Sequence, residues 1–225
     1  MGPAEDRENL VSYEEYLSYF QEGLLRQFGD HLAVVLLSTL LGSIIGVSAG
    51  ILVRHQPGPR EIVLKVAGTM LTIPSLALYA VLIGILGLGW PPVLLALTAY
   101  SLLPIIQNTI VGLNSVSAPV LEAARGIGMG DKVRLVRVEL PLAWPVILVG
   151  IRTAAIILVS TAALGAVVRG PGLGNAIYAG LNSIGSSVAL YQVLTGVGGV
   201  VVVGLLLNAI FFALARLTIP RGIRD

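Results

Sequence analysis

The sequence contains no cysteine and few charged residues: Asp, Glu, Lys and Arg make up 12% of its 225 residues. Without cysteine the chain has no disulfide, no thiolate nucleophile and no cysteine-based metal site. A soluble domain carries about 25% charged residues, whereas this chain is 56% hydrophobic and its mean hydropathy is +0.90. This composition predicts a protein that lies in a membrane.

Acidic residues are missing from most of the apolar part of the chain. No Asp or Glu occurs between Ile62 and Leu121, or between Leu140 and Arg224. Transporters driven by protons or sodium ions commonly place carboxylates at mid-membrane, because the ion needs a charged or titratable partner there. The chain also lacks the GxxxxGK[ST] phosphate loop. We therefore expect no catalytic, cofactor or metal site, and active transport would need energy from another polypeptide.

Five stretches are apolar over about the 20 residues that a membrane-spanning helix needs. They are His31–Val53, Ile62–Leu88, Pro92–Leu113, Trp144–Val168 and Val188–Leu217. Loops rich in Lys and Arg mark the cytoplasmic side, and basic loops alternate with nearly neutral ones along this chain. The sequence predicts an all-α fold with five crossings, in which the N-terminus lies outside and the C-terminus lies in the cytoplasm.

We divide the chain into three parts at these boundaries. Residues 1–30 form an acidic extracytoplasmic segment, residues 31–218 the transmembrane domain, and residues 219–225 a cytoplasmic tail. Apolar residues recur in the first part at steps of three and four, which predicts an amphipathic helix; they are Tyr13, Leu17, Phe20, Leu24 and Phe28. This helix could lie on the outer membrane surface or pack against the protein itself, and the pattern does not distinguish the two.

Small residues and prolines mark special positions in the predicted spans. Ser38, Gly42, Gly46 and Gly50 repeat every four residues in the first span, which predicts close packing against another helix. The second and third spans are interrupted by prolines, which remove a helical hydrogen bond and are expected to bend the helix.

Bent membrane helices often line water-filled cavities, although bends are also common in helices with a purely structural role. The two prolines and the nearby polar or aromatic residues are therefore candidates for lining a translocation path. They are Thr72, Pro74, Ser75, Tyr79, Tyr100, Pro104, Gln107 and Asn108.

A polar, basic loop at 117–143 separates the third span from the fourth. Pro119 is suited to the first turn of a helix, and Glu122 is expected in that turn, where a carboxylate favours the positive end of the helix dipole. Glycines at 126, 128 and 130 would end this helix or let a partner surface approach. Asp131 is a suitable cap for a second helix, which Pro141 is expected to stop. Anionic lipid headgroups would explain the arginines of this loop, but not the spacing of its other residues.

That spacing resembles the EAA loop of the permease subunits of ATP-binding-cassette (ABC) importers. The family pattern is EAA, three residues, G, nine residues, I, one residue and LP. The residues at these positions are Glu122, Ala123, Ala124, Gly128, Val138, Leu140 and Pro141. Val138 replaces the usual Ile, and every other position fits. Longer segments are similar to the osmoprotectant permeases, which import glycine betaine, carnitine, choline or proline betaine. These segments are Thr72–Leu78, Tyr100–Thr109, Leu121–Met129 and Pro141–Ala154.

The resemblance implies the five-helix core of these permeases in a bacterial or archaeal plasma membrane. It also implies a cytoplasmic ATPase dimer that binds ATP and magnesium, a second permease subunit that is identical or homologous, and an extracytoplasmic substrate-binding protein. The helix of the loop would dock on the ATPase, with Glu122 orienting it, Ala123 and Ala124 at the contact, and Gly128 forming the turn. Arg125 would meet either acidic groups of the ATPase or lipid headgroups.

Two alternatives stay open. A permease for methionine or another amino acid shares the size, the five spans and the EAA loop. A channel or a membrane scaffold is disfavoured by the EAA spacing, because neither needs a docking site for an ATPase. We expect contacts with membrane lipid and none with nucleic acid.

Overall fold

The computed structural model describes residues 12–219, and within this range the secondary structure is helical and contains no β-strand. The α-helices in chain order are α1 (Tyr13–Val53), α2 (Pro57–Thr72), α3 (Ser75–Leu86), α4 (Trp90–Asn114), α5 (Ala118–Gly126), α6 (Asp131–Arg134), α7 (Leu140–Ala163), α8 (Gly174–Asn182) and α9 (Ala189–Thr218). A π-helical turn, Leu135–Glu139, joins α6 to α7, and a 3-10 helix, Leu164–Val168, follows α7.

Four helical stretches within residues 12–219 are long and apolar enough to cross a membrane, and the bent pair of α2 and α3 would make a fifth span. The predicted all-α architecture is therefore confirmed. The helices α4 and α9 agree with the predicted third and fifth spans to within two residues. The helix breaks at Ile73–Pro74, as the proline predicted, whereas α4 continues through Pro104.

Two predicted helix boundaries differ from the structure. Residues from Tyr13 onward belong to the same helix as the first span, so the predicted amphipathic helix and the span predicted from His31 are continuous. No proline interrupts this stretch, and its isolated glycines are tolerated once the surrounding residues are helical. The helical stretch of the fourth span begins at Asp131 rather than Trp144, because α6, the π turn and α7 are continuous.

One compact unit consists of the described residues up to Leu36 together with Ser75–Ala96 and Val159–Leu205. In this unit His31 is fully buried, and its Nε2 lies 3.0 Å from the carbonyl oxygen of Val159. A turn follows the 3-10 helix: Gly172 has a φ of +111°, and the side chain of Asn175 donates to the carbonyls of Gly170 and Gly172.

The N-terminal half of α1 packs against the start of α9 in the same unit. Tyr16 is 2% exposed, and its ring centroid lies 6.0 Å from that of Tyr191. The hydroxyl of Tyr13 is 3.2 Å from the Thr195 hydroxyl. Of the two alternatives for the amphipathic helix, packing against the protein is the one observed, although Tyr16 was not among the residues that defined its apolar face. Residues 1–11 of the predicted N-terminal segment and 220–225 of the predicted tail lie outside the described residues.

The second compact unit comprises Leu37–Pro74, Leu97–Leu158 and the described residues from Leu206 onward. The predicted stripe of small residues on α1 packs against α4 here. A Cβ added to Gly46 would lie 2.8 Å from Cγ2 of Ile105, and one added to Gly50 would lie 2.7 Å from Cβ of Thr109. Because real Cβ atoms do not approach so closely, glycine is what allows the two backbones to pack, and the packing role is confirmed.

Candidate functional site

The first helix of the loop, α5, ends in a hydrogen-bonded glycine turn. Gly128 has a φ of +84°, in the left-handed region that favours glycine. Its N–H donates to the carbonyl of Arg125 (2.9 Å), and the N–H of Met129 donates to the carbonyl of Ala124 (3.1 Å). This pair of bonds is the Schellman motif. The spacing in the family pattern therefore describes the end of a helix. The EAA triplet leads into the last helical turn, and the glycine is the left-handed residue that ends it.

The start of α5 differs from the prediction for Glu122. The helix begins at Ala118, after Ser117 as the N-terminal cap and with Pro119 in its first turn. Glu122 is consequently the fifth residue of the helix, and no acidic residue lies in the first turn. Its carboxylate therefore belongs to the second turn, whereas the unpaired N–H groups belong to the first four residues.

Two of the three side chains of the EAA triplet lie exposed on the protein surface. Glu122 and Ala123 are exposed, and so is Arg125, whereas Ala124 is 5% exposed. Apolar side chains that are at least 40% exposed lie on and around the loop; they are Val120, Ile127, Val133 and Val136. A short helix with exposed small and apolar side chains next to charged ones is suited to docking into a groove of another protein.

The second half of the loop also departs from the prediction. Gly130, not Asp131, is the residue that precedes α6, and Asp131 lies in the first turn, where its carboxylate pairs with Arg134 at 2.9 Å. Pro141 does not stop the helix; it is the second residue of α7. The π turn just before it shifts the hydrogen-bond register from four to five residues, and this shift accommodates a residue without an N–H.

A buried ion network ties this loop to the end of α1. Glu139 is 3% exposed; its Oε2 is 2.8 Å from the guanidinium of Arg54, and its Oε1 accepts from Nε of Arg134 at 2.9 Å. Residues five apart come to neighbouring positions in a π turn, so the π geometry brings Arg134 and Glu139 together. The network links α1 to the EAA loop within the second compact unit.

Sequence reasoning missed Glu139, which occupies the unspecified position between Val138 and Leu140 in the family pattern. One signal could have identified it: this carboxylate is flanked by apolar residues and is the last acidic residue before the acid-free stretch that begins at Leu140. A carboxylate in such surroundings needs a buried partner.

The candidate path residues are divided between the two compact units. Gln107 and Asn108 line a cavity of about 460 Å³ in the second unit, together with Arg60. Asn108 donates to the carbonyl of Pro104 at 2.8 Å, and Pro104 itself is buried. This cavity combines amide and guanidinium groups with apolar walls.

The remaining path candidates do not line that cavity. The Tyr100 hydroxyl donates to the carbonyl of Ile73 at 3.0 Å, beside the break at Pro74, and the exposed Thr72 hydroxyl donates to the carbonyl of Thr69. Ser75 and the fully buried Tyr79 belong to the first unit. The hydroxyl of Tyr79 donates to the carbonyl of Thr161 at 3.1 Å. Both tyrosine hydroxyls therefore bond to backbone carbonyls.

Comparison with known proteins gives one family and several relatives. The family described as binding-protein-dependent transport system inner membrane component matches residues 39–221. A glycine betaine/carnitine/choline transport system permease protein of Bacillus subtilis (strain 168) is 38% identical over 204 residues, covering 89% of this chain and 91% of the relative. A second permease protein of the system with that name, from the same organism, is 40% identical over 167 residues and covers 73% of each chain.

A solved structure has the same fold. It is a chain of the MetNI methionine ABC transporter in an inward-facing conformation, with a TM-score of 0.75 and 24% identity. The likeness covers 87% of this chain and 95% of that one.

Proposed function

Because the chain belongs to the family of binding-protein-dependent transport system inner membrane components, we propose that it is the permease subunit of an ATP-driven importer for osmoprotectants such as glycine betaine, carnitine or choline. The observation that carries the solute class is the 38% identity over 89% of the chain to a permease of the glycine betaine/carnitine/choline system. The likeness to the methionine transporter, at 24% identity, supports the fold alone.

We propose that α5 is the helix through which a cytoplasmic ATPase dimer drives this subunit. Glu122 and Ala123 are exposed for contact, and the Schellman turn at Gly128 gives the helix a defined end. The ATPase binds ATP and magnesium, so this chain needs no cofactor of its own. Motion of α5 passes to the membrane helices through the continuous helix that begins at Asp131, and through the Glu139 network to α1.

The proposed assembly has two permease subunits and an extracytoplasmic binding protein. The existence of two permease proteins of one named system among the relatives supports a homologous rather than an identical second subunit.

We also propose the orientation predicted from loop charge, with the N-terminus and the turn at 169–173 outside and the EAA loop in the cytoplasm. Reporter fusions at Ser186 and after Thr218 check this orientation: only the second is expected to be cytoplasmic, and reversed labelling would refute it.

Uptake by the reconstituted transporter tests the proposed function. The subunit, its ATPase, its partner permease and the binding protein are placed in proteoliposomes, and ATP-dependent accumulation of labelled glycine betaine, carnitine, choline and methionine is compared. We expect accumulation of at least one quaternary ammonium compound and none of methionine. Uptake of methionine alone would make the chain an amino-acid permease, and flux without ATP would make it a channel.

A further inference from the structure

Two cavities adjoin in the first compact unit, between the N-terminal half of α1 and the segment that runs from Arg169 into α8. The larger, of about 430 Å³, is lined by charged and polar groups that include Arg26, Asp30, Trp90 and Arg169. The smaller, of about 190 Å³, is lined by aromatic and polar groups that include Tyr16, Phe20 and Gln192. Both are lined by Gly23, Gln27 and Asn175, so the polar cavity continues into the aromatic one.

The larger cavity has a surplus of positive charge. Its charged side chains are Arg26, Arg169 and Asp30, and within residues 12–219 none of the three forms an ion pair or a side-chain hydrogen bond. Two guanidinium groups and one carboxylate leave one net positive charge. Guanidinium binds carboxylate groups with charge-assisted, often bidentate hydrogen bonds, so this cavity is suited to a ligand carboxylate.

The backbone at Arg169 is strained in a way that favours this interpretation. Its φ is 55°, and among residues 12–219 it is the only residue other than glycine with a positive φ. The left-handed conformation that ends a helix is normally taken by glycine, because a side chain there is unfavourable. Strain of this kind is concentrated at sites where the side chain is needed, and Arg169 places a guanidinium at the cavity.

The smaller cavity is suited to a methylated ammonium group. The rings of Tyr16 and Phe20 lie with their centroids 5.0 Å apart at its wall, and aromatic rings attract quaternary ammonium groups. The Oε1 of Gln27 is buried and has no hydrogen-bond partner among the described residues. Gln27 lines the cavity, and its unpaired partial negative charge favours a cationic group nearby.

We propose that the two cavities form one binding site for a small zwitterion, with its carboxylate at Arg26 and Arg169 and its methylated ammonium against Tyr16 and Phe20. The proposal rests on the proposed function and deepens it: in the proposed orientation the site opens outside, where the solute arrives before it crosses the membrane. A solute without a carboxylate, such as choline, fills only the aromatic half.

Gly23 offers a test that leaves the packing of the protein intact. A Cβ added to Gly23 meets no heavy atom within 4 Å, and the same holds for Gly29 in the same helix. Of these two glycines, only Gly23 lines the cavities. A side chain at Gly23 therefore starts in open space beside the cavities, so Gly23→Leu is expected to occupy the site. Gly29→Leu is the matched control, and leucine favours the helix more than glycine at both positions.

Equilibrium binding of labelled glycine betaine to the membrane complex of permeases and ATPase, in nanodiscs without binding protein, measures the site. We expect saturable binding that Gly23→Leu abolishes and Gly29→Leu preserves. Arg169→Gln should weaken it about tenfold or more, the effect of losing one hydrogen bond to a charged group. Unlabelled choline and acetate should each compete at least about tenfold less well than glycine betaine, because choline lacks the carboxylate and acetate lacks the methylated ammonium group.

The outcomes separate this site from the proposed function. If the complete transporter accumulates glycine betaine but the membrane complex shows no saturable binding, or if Gly23→Leu and Gly29→Leu bind alike, the site is refuted and the function stands. If Arg169→Gln leaves glycine betaine binding unchanged and weakens association of the binding protein instead, the cavity is a docking surface. If the complete transporter accumulates no quaternary ammonium compound, the proposed function fails, and the site fails with it.

Discussion

Replacing Glu139 should destabilise the protein more than any change to an exposed ion pair. The Arg54–Glu139 pair is buried, with side chains 8% and 4% exposed and a distance of 2.8 Å. Removing one partner of a buried pair costs about 3–5 kcal/mol, because the other charge stays buried without compensation. For a chain of this size 1 kcal/mol corresponds to about 2–4 °C, so Glu139→Ala should lower the Tm by about 6–20 °C.

The network predicts an asymmetry between its members. Glu139→Ala leaves Arg54 and Arg134 buried near each other without their shared carboxylate. Arg54→Ala instead leaves Glu139 paired with Arg134 at 2.9 Å. We therefore expect Arg54→Ala to lower the Tm less than Glu139→Ala does.

Thermal unfolding of the purified subunit in detergent provides the measurement. The matched control is Glu61→Ala, which breaks the Glu61–Lys65 pair at 2.6 Å, where the side chains are 65% and 75% exposed. Such exposed pairs contribute at most about 1 kcal/mol. Equal shifts for Glu139→Ala and Glu61→Ala, or a larger shift for Arg54→Ala than for Glu139→Ala, would refute the argument that Glu139 is the shared counter-charge of a buried network.

Three further substitutions test the loop and the helix packing. Gly128→Val forces a β-branched residue into a φ of +84° and should weaken co-purification with the ATPase. Gly128→Asn should weaken it less, because asparagine tolerates this region. If both variants retain the ATPase equally well, the turn argument is wrong. Glu122→Lys reverses an exposed charge and should uncouple ATP hydrolysis from uptake. Unaltered coupled uptake would refute a role of Glu122 in coupling. Gly46→Val overpacks against Ile105 and should cost about 1–3 kcal/mol, visible as a lower Tm. Gly68→Ala, whose Cβ would lie 4.0 Å from the nearest side chain, should leave the Tm within a few degrees.

Local patterns were sufficient for much of the fold. The helical class and the number of candidate spans follow from apolar stretches of spanning length, and the break at Pro74 follows from its missing N–H. The stripe at Gly42, Gly46 and Gly50 predicted a close helix contact without identifying its partner, which is α4. Helix continuity was less predictable: neither the joining of the amphipathic segment to the first span nor the continuity through Pro141 depends on a strong local signal.

The candidate site was predicted unevenly for the same reason. The EAA spacing is local, because its glycine ends the helix that contains the triplet, so the turn at Gly128 could be inferred from residue types alone. The Glu139 network is not local, since Arg54 lies far away in sequence and its approach depends on how α1 packs. The π turn that brings Arg134 beside Glu139 has no residue signature comparable to a capping glycine.

Hydropathy and helix termination act over a few residues, so residue types alone predicted a helical membrane protein and a glycine turn in its polar loop. Which polar groups meet was decided only by tertiary structure. The pairing of Glu139 with Arg54, the backbone bonds of the Tyr79 and Tyr100 hydroxyls, and the joining of Arg26 to Arg169 at one cavity all join residues distant in sequence. Such contacts depend on the packing of whole helices, and no local pattern of residue types encodes them.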